Sequence, residues 1–252
     1  MSTRRRLDAE LVRRGLAGTR TEAQRLIEAG LVTVGGAPAA KPARLVDPGD
    51  SLQVKGPARR YVSRGGDKLA AALDHFGLDP AGLRVLDAGA STGGFTDCVL
   101  QRGAREVIAV DVGYGQLHEK LRADERVDSR ERTHIRDVTA EALGGPVDLV
   151  VGDLSFISLT KVTAPLVGAV KPGGDLVLLV KPQFEAGREE VAKGRGVITD
   201  PEIWRRTIGD VCAAFETGGA TMMGQMVSPI HGAEGNTEFL VWFRADASEG
   251  GS

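Results

Sequence analysis

Aromatic residues are scarce in this chain of 252 residues, at 4% of the sequence. A broad aromatic platform is therefore not expected to be its main way of binding bases. The two cysteines, Cys98 and Cys212, lack Cys-x-x-Cys or metal-ligand spacing, so both are expected to be reduced thiols and no metal site is predicted. No apolar run approaches the roughly 18 residues that span a bilayer, and no apolar stretch follows the first residues, Met-Ser-Thr-Arg-Arg-Arg. These absences predict a cytoplasmic protein with no membrane partner.

Charge is unevenly distributed, although the net charge is only −2. Residues 1–64 carry 13 Lys and Arg against 6 Asp and Glu, a balance of +7 that leaves −9 for the remainder. A basic segment joined to an acidic one indicates that the basic part meets a polyanion such as nucleic acid. Solvation of exposed helix faces is the alternative, and charge alone does not distinguish the two.

The first sixty residues have the pattern of a small α+β module. Helices are predicted over 7–16 and from Thr19 to Gly30, where Thr19 and Glu22 have capping-box spacing. Short strands are predicted near 31–34 and 52–54, separated by Gly-rich and Pro-Gly turns. The segment resembles the S4 RNA-binding domain through these residues: Thr19, Arg20, Ala23, Leu26, Ile27, Gly30, Val32, Val34 and Gly36.

The S4 resemblance implies that a pair of helices presents basic side chains to RNA phosphates. Such contacts supply affinity and register rather than sequence readout. The candidate RNA-binding residues of this region are Arg5, Arg6, Arg13, Arg14, Arg20, Arg25, Lys41, Arg60 and Arg64. The alternative for each arginine is that it only solvates a helix.

One tripeptide, Arg6-Leu7-Asp8, matches the catalytic tripeptide of pseudouridine synthases, which also carry S4 domains. Here it lies in the first helix, before the domain that would have to use it. The pseudouridine synthase interpretation is therefore rejected.

The chain is predicted to divide into residues 1–60 and a second domain over 61–245, joined by a basic hinge at 55–64 and followed by a flexible tail at 246–252. Strands are predicted to end near Asp87 and to run over 107–111, 147–153, 175–181 and 238–244, and helices over 96–102 and 201–218. Apolar strands that alternate with helices predict a mostly parallel sheet covered on both faces.

A Gly-rich run, Asp87-Ala-Gly-Ala-Ser-Thr-Gly-Gly-Phe-Thr96, joins the first of these strands to a helix. The run is neither a dinucleotide fingerprint nor a P-loop. A carboxylate at this strand end suits the cationic sulfonium and ammonium groups of S-adenosylmethionine, and Asp111 at the end of the next strand can bind ribose hydroxyls. The cofactor-binding candidates are Asp87, Gly89, Ser91, Thr92, Gly93, Gly94, Phe95 and Asp111.

The alternation and the loop favour a Rossmann-like class I methyltransferase, and we assume the usual sheet of that class, with seven strands that are mostly parallel and a last strand that is antiparallel. In such a sheet the ends of two strands and the start of the last strand meet at one edge, where ligands bind. Lys68, Asp153, Lys181 and Glu238 are expected to gather there.

A group of two lysines and two carboxylates suits the deprotonation of a ribose 2′-hydroxyl. A lysine serves as a general base when burial and a second cation favour its neutral form. Lys181 is predicted to be the base and Lys68 its partner, with Asp153 and Glu238 orienting the ammonium groups. Taken singly, a lysine before a proline often only ends a strand, and Glu238 has the alternative of a plain surface position.

Nearly the whole chain resembles the TlyA family, whose members join an S4 domain to an FtsJ-like methyltransferase and were formerly called hemolysins. The matching stretches begin at Val62, Leu86, Asp111, Asp153, Lys181 and Gly235. The resemblance implies 2′-O-methylation of cytidine in 16S and/or 23S ribosomal RNA within ribosomal subunits. The family's catalytic positions fall on Lys68, Asp153, Lys181 and Glu238.

The family pattern has an asparagine where this chain has His134, at a position that approaches the adenine of the cofactor. Asp137 is expected to compensate, so His134 and Asp137 join the cofactor candidates. A monomer is expected. The alternatives are a ribosome-assembly factor without catalysis, a membrane-damaging hemolysin, and a small-molecule methyltransferase, for which an S4 module has no evident purpose.

Overall fold

The computed structural model describes residues 4–55, 60–232 and 235–247. The chain divides into two compact units, Met1–Ser63 and Arg64–Ser252. Residues 56–59 of the predicted hinge and residues 248–252 of the predicted tail lie outside the described part.

Within residues 4–55 and 60–63, the first unit has two helices and five short strands. They are β1 (Arg5–Arg6), α1 (Leu7–Arg13), α2 (Arg20–Glu28), β2 (Val32–Val34), β3 (Ala37–Pro38), β4 (Leu45–Val46) and β5 (Leu52–Val54). Strand β2 pairs with β3 and β5, and β1 pairs with β4, all antiparallel. Thr19 caps α2 by accepting a hydrogen bond from the Glu22 amide, as predicted. Helix α1 is shorter than predicted because Gly15, at φ +68°, adopts the left-handed region that ends helices.

Two buried carboxylates, Asp8 and Glu10, organise this unit. Asp8 accepts hydrogen bonds from Arg6, Arg20 and Gln24, and Glu10 accepts from Arg13 and Arg14 at 2.6 and 2.8 Å. The Arg6 guanidinium holds the pKa of Asp8 well below its usual range, and Arg13 lowers the pKa of Glu10 to about 2.

Arg14 also fixes the turn before β5. Its guanidinium donates to the carbonyl oxygens of Asp50 and Pro48 at 2.6 and 2.8 Å, and its side chain is largely covered. An arginine whose donors are used in this way holds the module together and has little left for RNA.

We expect Arg14→Ala to lower the opening free energy of the first unit by about 1–3 kcal/mol, because it strands buried acceptors. Arg25→Ala is the matched control: Arg25 lies on α2, is exposed, and has no side-chain hydrogen bond to another described residue. Amide hydrogen exchange of residues 7–54 in the full chain measures both. Equal protection in the two variants would contradict the structural role of Arg14.

The second unit is an α/β unit whose sheet has seven strands. Its strands are β6 (Arg84–Ala88), β7 (Glu106–Val110), β8 (Val127–Arg130), β9 (Val147–Gly152), β10 (Val170–Val180), β11 (Ala220–Val227) and β12 (Phe239–Ala245). Its helices are α3 (Arg64–Phe76), α4 (Gly94–Gln101), α5 (Glu119–Arg122), α6 (Thr163–Ala169), α7 (Pro182–Glu185), α8 (Arg188–Lys193) and α9 (Pro201–Thr217).

The strand order is β11-β12-β10-β9-β6-β7-β8. The five neighbouring strands β10, β9, β6, β7 and β8 run parallel to one another. Strand β12 lies between β10 and β11 and is antiparallel to both. This confirms the predicted fold class. The predicted strands agree with the structure to within a few residues. Strands β8 and β11 were not predicted, because β8 is polar (Val-Asp-Ser-Arg) and β11 is an edge strand whose burial merely alternates.

The register of the sheet decides which side chains meet at its carboxyl edge. Gly152 of β9 lies opposite Leu178 of β10, and Val180 of β10 lies opposite Phe239 of β12. The next residues along these strands are Asp153, Lys181 and, because β12 runs backwards, Glu238. One edge therefore receives charged side chains from three neighbouring strands.

Candidate active site

Lys181 and Asp153 form the first ion pair of this edge. Lys181 follows β10 and is only 7% exposed; its Nζ lies 2.6 Å from Asp153 Oδ1. The same ammonium donates a hydrogen bond to Ser155 Oγ at 2.7 Å. Asp153 thus forms a charge pair with Lys181, while Ser155 accepts the hydrogen bond of the ammonium.

Lys68 and Glu238 form the second ion pair. Lys68 lies on α3, and its Nζ is 2.5 Å from Glu238 Oε2, with the two residues 8% and 3% exposed. A Cβ on Gly232 would collide with the Glu238 carboxylate, so a side chain there would displace this carboxylate from its present position. Two lysines are thus each neutralised by one carboxylate.

The strand register connects the two pairs. Val180 pairs with Phe239, so Lys181 and Glu238 occupy the next facing positions of β10 and β12. The structure therefore brings Lys68, Asp153, Lys181 and Glu238 to one sheet edge as two buried ion pairs. Their catalytic roles stay predictions.

The Gly-rich loop between β6 and α4 lies close to the backbone of Asp153, which follows β9. Gly89 is at φ +85°, and a Cβ there would lie 3.0 Å from the Asp153 carbonyl oxygen. Beyond β7, Asp111 accepts hydrogen bonds from the Ser91 and Gly113 amides at 2.8 and 2.6 Å. These bonds fix the Asp111 carboxylate beside the loop.

Asp87 is placed differently from Asp111. It is fully buried, and both the amide and the hydroxyl of Thr96 donate to its Oδ2, at 2.9 and 2.6 Å. Its Oδ1 has no hydrogen-bond partner among the described residues. Burial raises the pKa of Asp87 to about 7 against these hydrogen bonds, and the charges of Asp153 and Asp111 add to the rise. The bonds that Asp87 makes in the structure hold the start of α4.

A cavity of about 1300 Å³ opens beside these loops. Of the predicted site residues, five line it: Gly89, Ser91, Asp111, His134 and Asp153. Six predicted cofactor residues are not among its lining residues: Asp87, Thr92, Gly93, Gly94, Phe95 and Asp137. Phe95 packs in the core at 3% exposure, and Gly93, at φ +93°, gives the loop its turn into α4.

His134 lines the cavity and caps a short helical turn. Its Nδ1 accepts a hydrogen bond from the Arg136 amide at 3.0 Å, which starts the 3-10 turn Ile135–Asp137. An asparagine oxygen can make the same local bond. A histidine at position 134, where the family pattern has an asparagine, therefore keeps the backbone geometry of the cavity wall.

Several residues of the cavity mouth were not found from the sequence. Phe156 is 91% exposed at φ +63°, and its ring centroid lies 5.2 Å from that of Phe184. Arg188 and Arg195 line the cavity as well. The Asp-Leu-Ser-Phe stretch after a strand was a visible signal for Phe156, but exposure and left-handed backbone are not readable from a motif.

The cavity fits the nucleoside part of S-adenosylmethionine. Apolar side chains of Val110, Ile135 and Leu154 line it together with a fixed carboxylate, Asp111. Gly89 leaves room where a side chain would meet backbone. Apolar walls with a few placed polar groups are the usual composition of a cofactor site.

Comparison with known protein families agrees with this geometry. Residues 61–245 match the model of the FtsJ-like methyltransferases, and residues 5–52 match that of the S4 domain. The chain belongs to the FtsJ-like methyltransferase family. It is an enzyme, and S-adenosylmethionine is its methyl donor.

Relatives of this FtsJ-like chain share both domains. The 16S/23S rRNA (cytidine-2′-O)-methyltransferase TlyA of Mycobacterium tuberculosis is 51% identical over 245 residues, covering 97% of this chain and 91% of that protein. Hemolysin A of Brachyspira hyodysenteriae is 38% identical, covering 94% and 99%. The structure of a putative hemolysin from Streptococcus thermophilus has a TM-score of 0.80 at 41% identity, covering 98% and 90%.

The predicted RNA-binding residues, all of the first unit except Arg64 at the start of α3, fall into two groups. Arg6, Arg13, Arg14 and Arg20 are engaged with Asp8 or Glu10. Arg5, Arg25, Lys41, Arg60 and Arg64 are exposed, and the Arg60 guanidinium lies 5.1 Å from the Tyr61 ring centroid. The cations of the first group would have to leave a buried carboxylate before they could bind RNA fully.

Asp87→Asn should change how stability depends on pH. Folding raises the pKa of Asp87 from the ordinary 3.8 to about 7. The folded state therefore holds a proton that the unfolded state has released, and wild-type stability is lost as pH rises from about 4 to 7. Asparagine avoids this, so the variant should gain about 2–4 kcal/mol relative to wild type between pH 4.5 and 8.

Urea unfolding at several pH values measures this difference. Glu125→Gln is the control, because Glu125 is an exposed acid and should leave the pH slope unchanged. A constant difference between Asp87→Asn and wild type at all pH values would show that Asp87 is ionised throughout.

His134→Asn should bind S-adenosylmethionine within about twofold of wild type, because the cap on Arg136 is kept. His134→Ala loses the cap and should bind about five- to tenfold more weakly. Calorimetric titration measures both, with the exposed His75→Ala on α3 as control. Unchanged affinity in His134→Ala would contradict this role.

Proposed function

We propose that this enzyme methylates the 2′-hydroxyl of cytidine in 16S and/or 23S ribosomal RNA, within ribosomal subunits. The observation that carries the proposal is the set of two buried lysine–carboxylate pairs at the sheet edge, beside the cofactor cavity. The name of the Mycobacterium tuberculosis relative supports the substrate. The S4 domain supports RNA as the partner.

A ribose 2′-hydroxyl must lose its proton as its oxygen attacks a methyl carbon. When bound, S-adenosylmethionine supplies that methyl on a sulfonium, and the carbon–sulfur bond breaks to leave a neutral thioether. We assign Lys181 Nζ as the proton acceptor: the ammonium of the ion pair first gives one proton to solvent, and the neutral amine then takes the proton of the hydroxyl. Asp153 and Ser155, both within 2.7 Å of that nitrogen, orient it.

Lys68 and Glu238 complete the group. Glu238 and Lys181 occupy facing positions at the ends of neighbouring strands, and Lys68 neutralises the carboxylate of Glu238. In this arrangement Lys68 positions the ribose oxygen, and Glu238 keeps Lys68 in place. Asp111 would accept hydrogen bonds from the hydroxyls of the cofactor ribose, and His134 would lie beside its adenine.

Phe156 offers a surface for the target base. Its ring is almost fully exposed at the cavity mouth, and its left-handed backbone is a strained state for a bulky residue. Strain of this kind is held where it serves a ligand. Stacking of the target cytosine on this ring would keep its nucleotide, turned out of the RNA base stack, over Lys181.

The two domains divide the work in this proposal. The S4 domain, residues 1–60, holds the RNA through its outward-facing cations, and the domain over residues 61–245 carries out the transfer, with residues 55–64 as the joint. An enzyme of ribosomal RNA acts in the cytoplasm, where the subunits are. We propose that one copy of the chain suffices.

A membrane-damaging activity is the alternative that the hemolysin names of two relatives raise. Among the described residues, no helix is long and apolar enough to cross a bilayer. A lysis assay on erythrocytes with the purified protein tests this alternative directly. Release of haemoglobin by the protein, also with Lys181 substituted, would favour it over the methyltransferase.

The main experiment uses purified protein, labelled S-adenosylmethionine and isolated ribosomal subunits that lack the modification. Lys181→Ala should lower label transfer by about 10²–10⁴-fold, the usual worth of a general base, with cofactor affinity retained. Lys171→Ala is the matched control: Lys171 lies near the other end of β10 and also pairs with an aspartate, Asp148, at 2.7 Å, but its side chain is half exposed.

Digestion of the labelled RNA should release 2′-O-methylcytidine, and the labelled subunit fixes the target range. No label in either subunit, with measurable cofactor binding, would overturn the ribosomal substrate. Full transfer by Lys181→Ala would overturn the assignment of the base.

A further inference from the structure

Residues 187–198, here called the arm, form one wall of the cavity. The arm contains α8 and the turn that follows it. Its residues that line the cavity are Arg188, Val191, Ala192, Arg195 and Gly196. The Gly-rich loop and Asp111 line the same cavity from other elements. Asp153 of the sheet edge lines this cavity too, so the arm and one member of the tetrad share a cavity.

The arm presents two arginines without counter-charges. Arg188 and Arg195 are exposed, and neither forms an ion pair with a described residue. Glu190, a carboxylate of the arm, forms its ion pair with Arg206, at 2.5 Å. Arg136 and Lys161 line the same cavity and likewise have no ion pair within the described ranges. Residues 65–252 carry a net −9, so this cluster of unpaired cations stands out from its acidic surroundings.

The turn of the arm is rigidly specified. A Cβ on Gly194 would collide with the Val197 carbonyl oxygen, so glycine is required there. Arg195 is held at φ +50°, in a region that few non-glycine residues occupy. The Gly196 amide donates to the Val191 carbonyl oxygen at 2.9 Å and closes the turn. The guanidinium of Arg195 thus extends from a fixed support.

Asn236 fastens the arm to the segment that carries Glu238. It is 2% exposed; its Oδ1 accepts from the Ile198 amide and its Nδ2 donates to the Gly196 carbonyl oxygen, both at 2.9 Å. These partners require an amide, since one is a donor and the other an acceptor. Glu238, only two residues further on, bonds Lys68.

We propose that the arm binds the phosphates that flank the target ribose through Arg188 and Arg195, and that Asn236 is the positioning residue that sets the arm relative to Glu238. The inference rests on the proposed function and extends it, because it places an RNA contact in the methyltransferase domain. The RNA strand held by the arm is thereby aligned with the tetrad.

Methyl transfer to isolated subunits tests the two arginines. Arg188→Gln and Arg195→Gln should each raise the KM for RNA about tenfold, with the Kd for S-adenosylmethionine unchanged. The slope of log(kcat/KM) against log salt should become shallower by about 0.7–0.9 per contact removed. Lys193→Gln is the matched control, because Lys193 lies exposed on α8 outside the cavity lining.

The outcomes separate the two proposals. Wild-type protein that fails to methylate either subunit overturns the proposed function itself. Active wild type with unchanged KM and salt slope in both arginine variants overturns the arm alone. An equal effect from Lys193→Gln would also overturn it, since general charge rather than the site would then be responsible.

Asn236→Asp tests the positioning role. An ionised carboxylate would face the Gly196 carbonyl oxygen and release the arm, whereas a protonated one restores the donor. The variant-to-wild-type ratio of single-turnover rates should therefore rise as pH falls, while the ratio for Asn236→Ala stays flat and low. Wild-type rates in Asn236→Ala, or a flat ratio for Asn236→Asp, would overturn this role.

Discussion

Two lysine–carboxylate pairs withdrawn from water at one sheet edge are the interaction on which the rest of this protein depends. Taking such charges out of water costs several kcal/mol per ion, and attraction within the pair offsets this only when the geometry is fixed. The antiparallel insertion of β12 beside β10 provides that geometry, because it brings Glu238 to the edge where Lys181 and Asp153 already lie. Apolar residues would often stabilise a fold at lower cost than buried ion pairs, and these charges are the ones to which the proposed function assigns the chemistry.

The S4 unit uses buried charge for a different purpose. Asp8 and Glu10 lie inside the module and are satisfied by arginines of its two helices. Some basic side chains of this unit therefore stabilise its fold, and only part of its positive charge is left to bind a polyanion. In the methyltransferase domain the net charge is acidic, yet unpaired cations collect around the cavity. Local pairing, not the net charge of a domain, decides where RNA can be held.

Two aspartates at neighbouring strand ends show how burial separates similar residues. Asp111 is held by two amides and lines the cavity, while Asp87 is fully buried and secures the start of α4 through Thr96. The sequence placed both carboxylates at strand ends, which is where they are. It did not reveal that one side chain would face the cavity and the other the interior, because that depends on how α4 packs.

The sequence by itself determined the two domains' character, the alternation of strands and helices, and the Gly-rich loop, since these follow from local patterns of apolar residues, caps and glycines. With the usual strand order of methyltransferases assumed, it also indicated that Asp153, Lys181 and Glu238 would share an edge, because strand order fixes where strand ends lie, and that Lys68 would join them from a helix. Only the tertiary structure decided which lysine meets which carboxylate, that Arg14 is internal, and that Phe156, Arg188 and Arg195 stand at the cavity mouth. Pairing, burial and exposure depend on contacts between residues far apart in the chain, which no local pattern encodes.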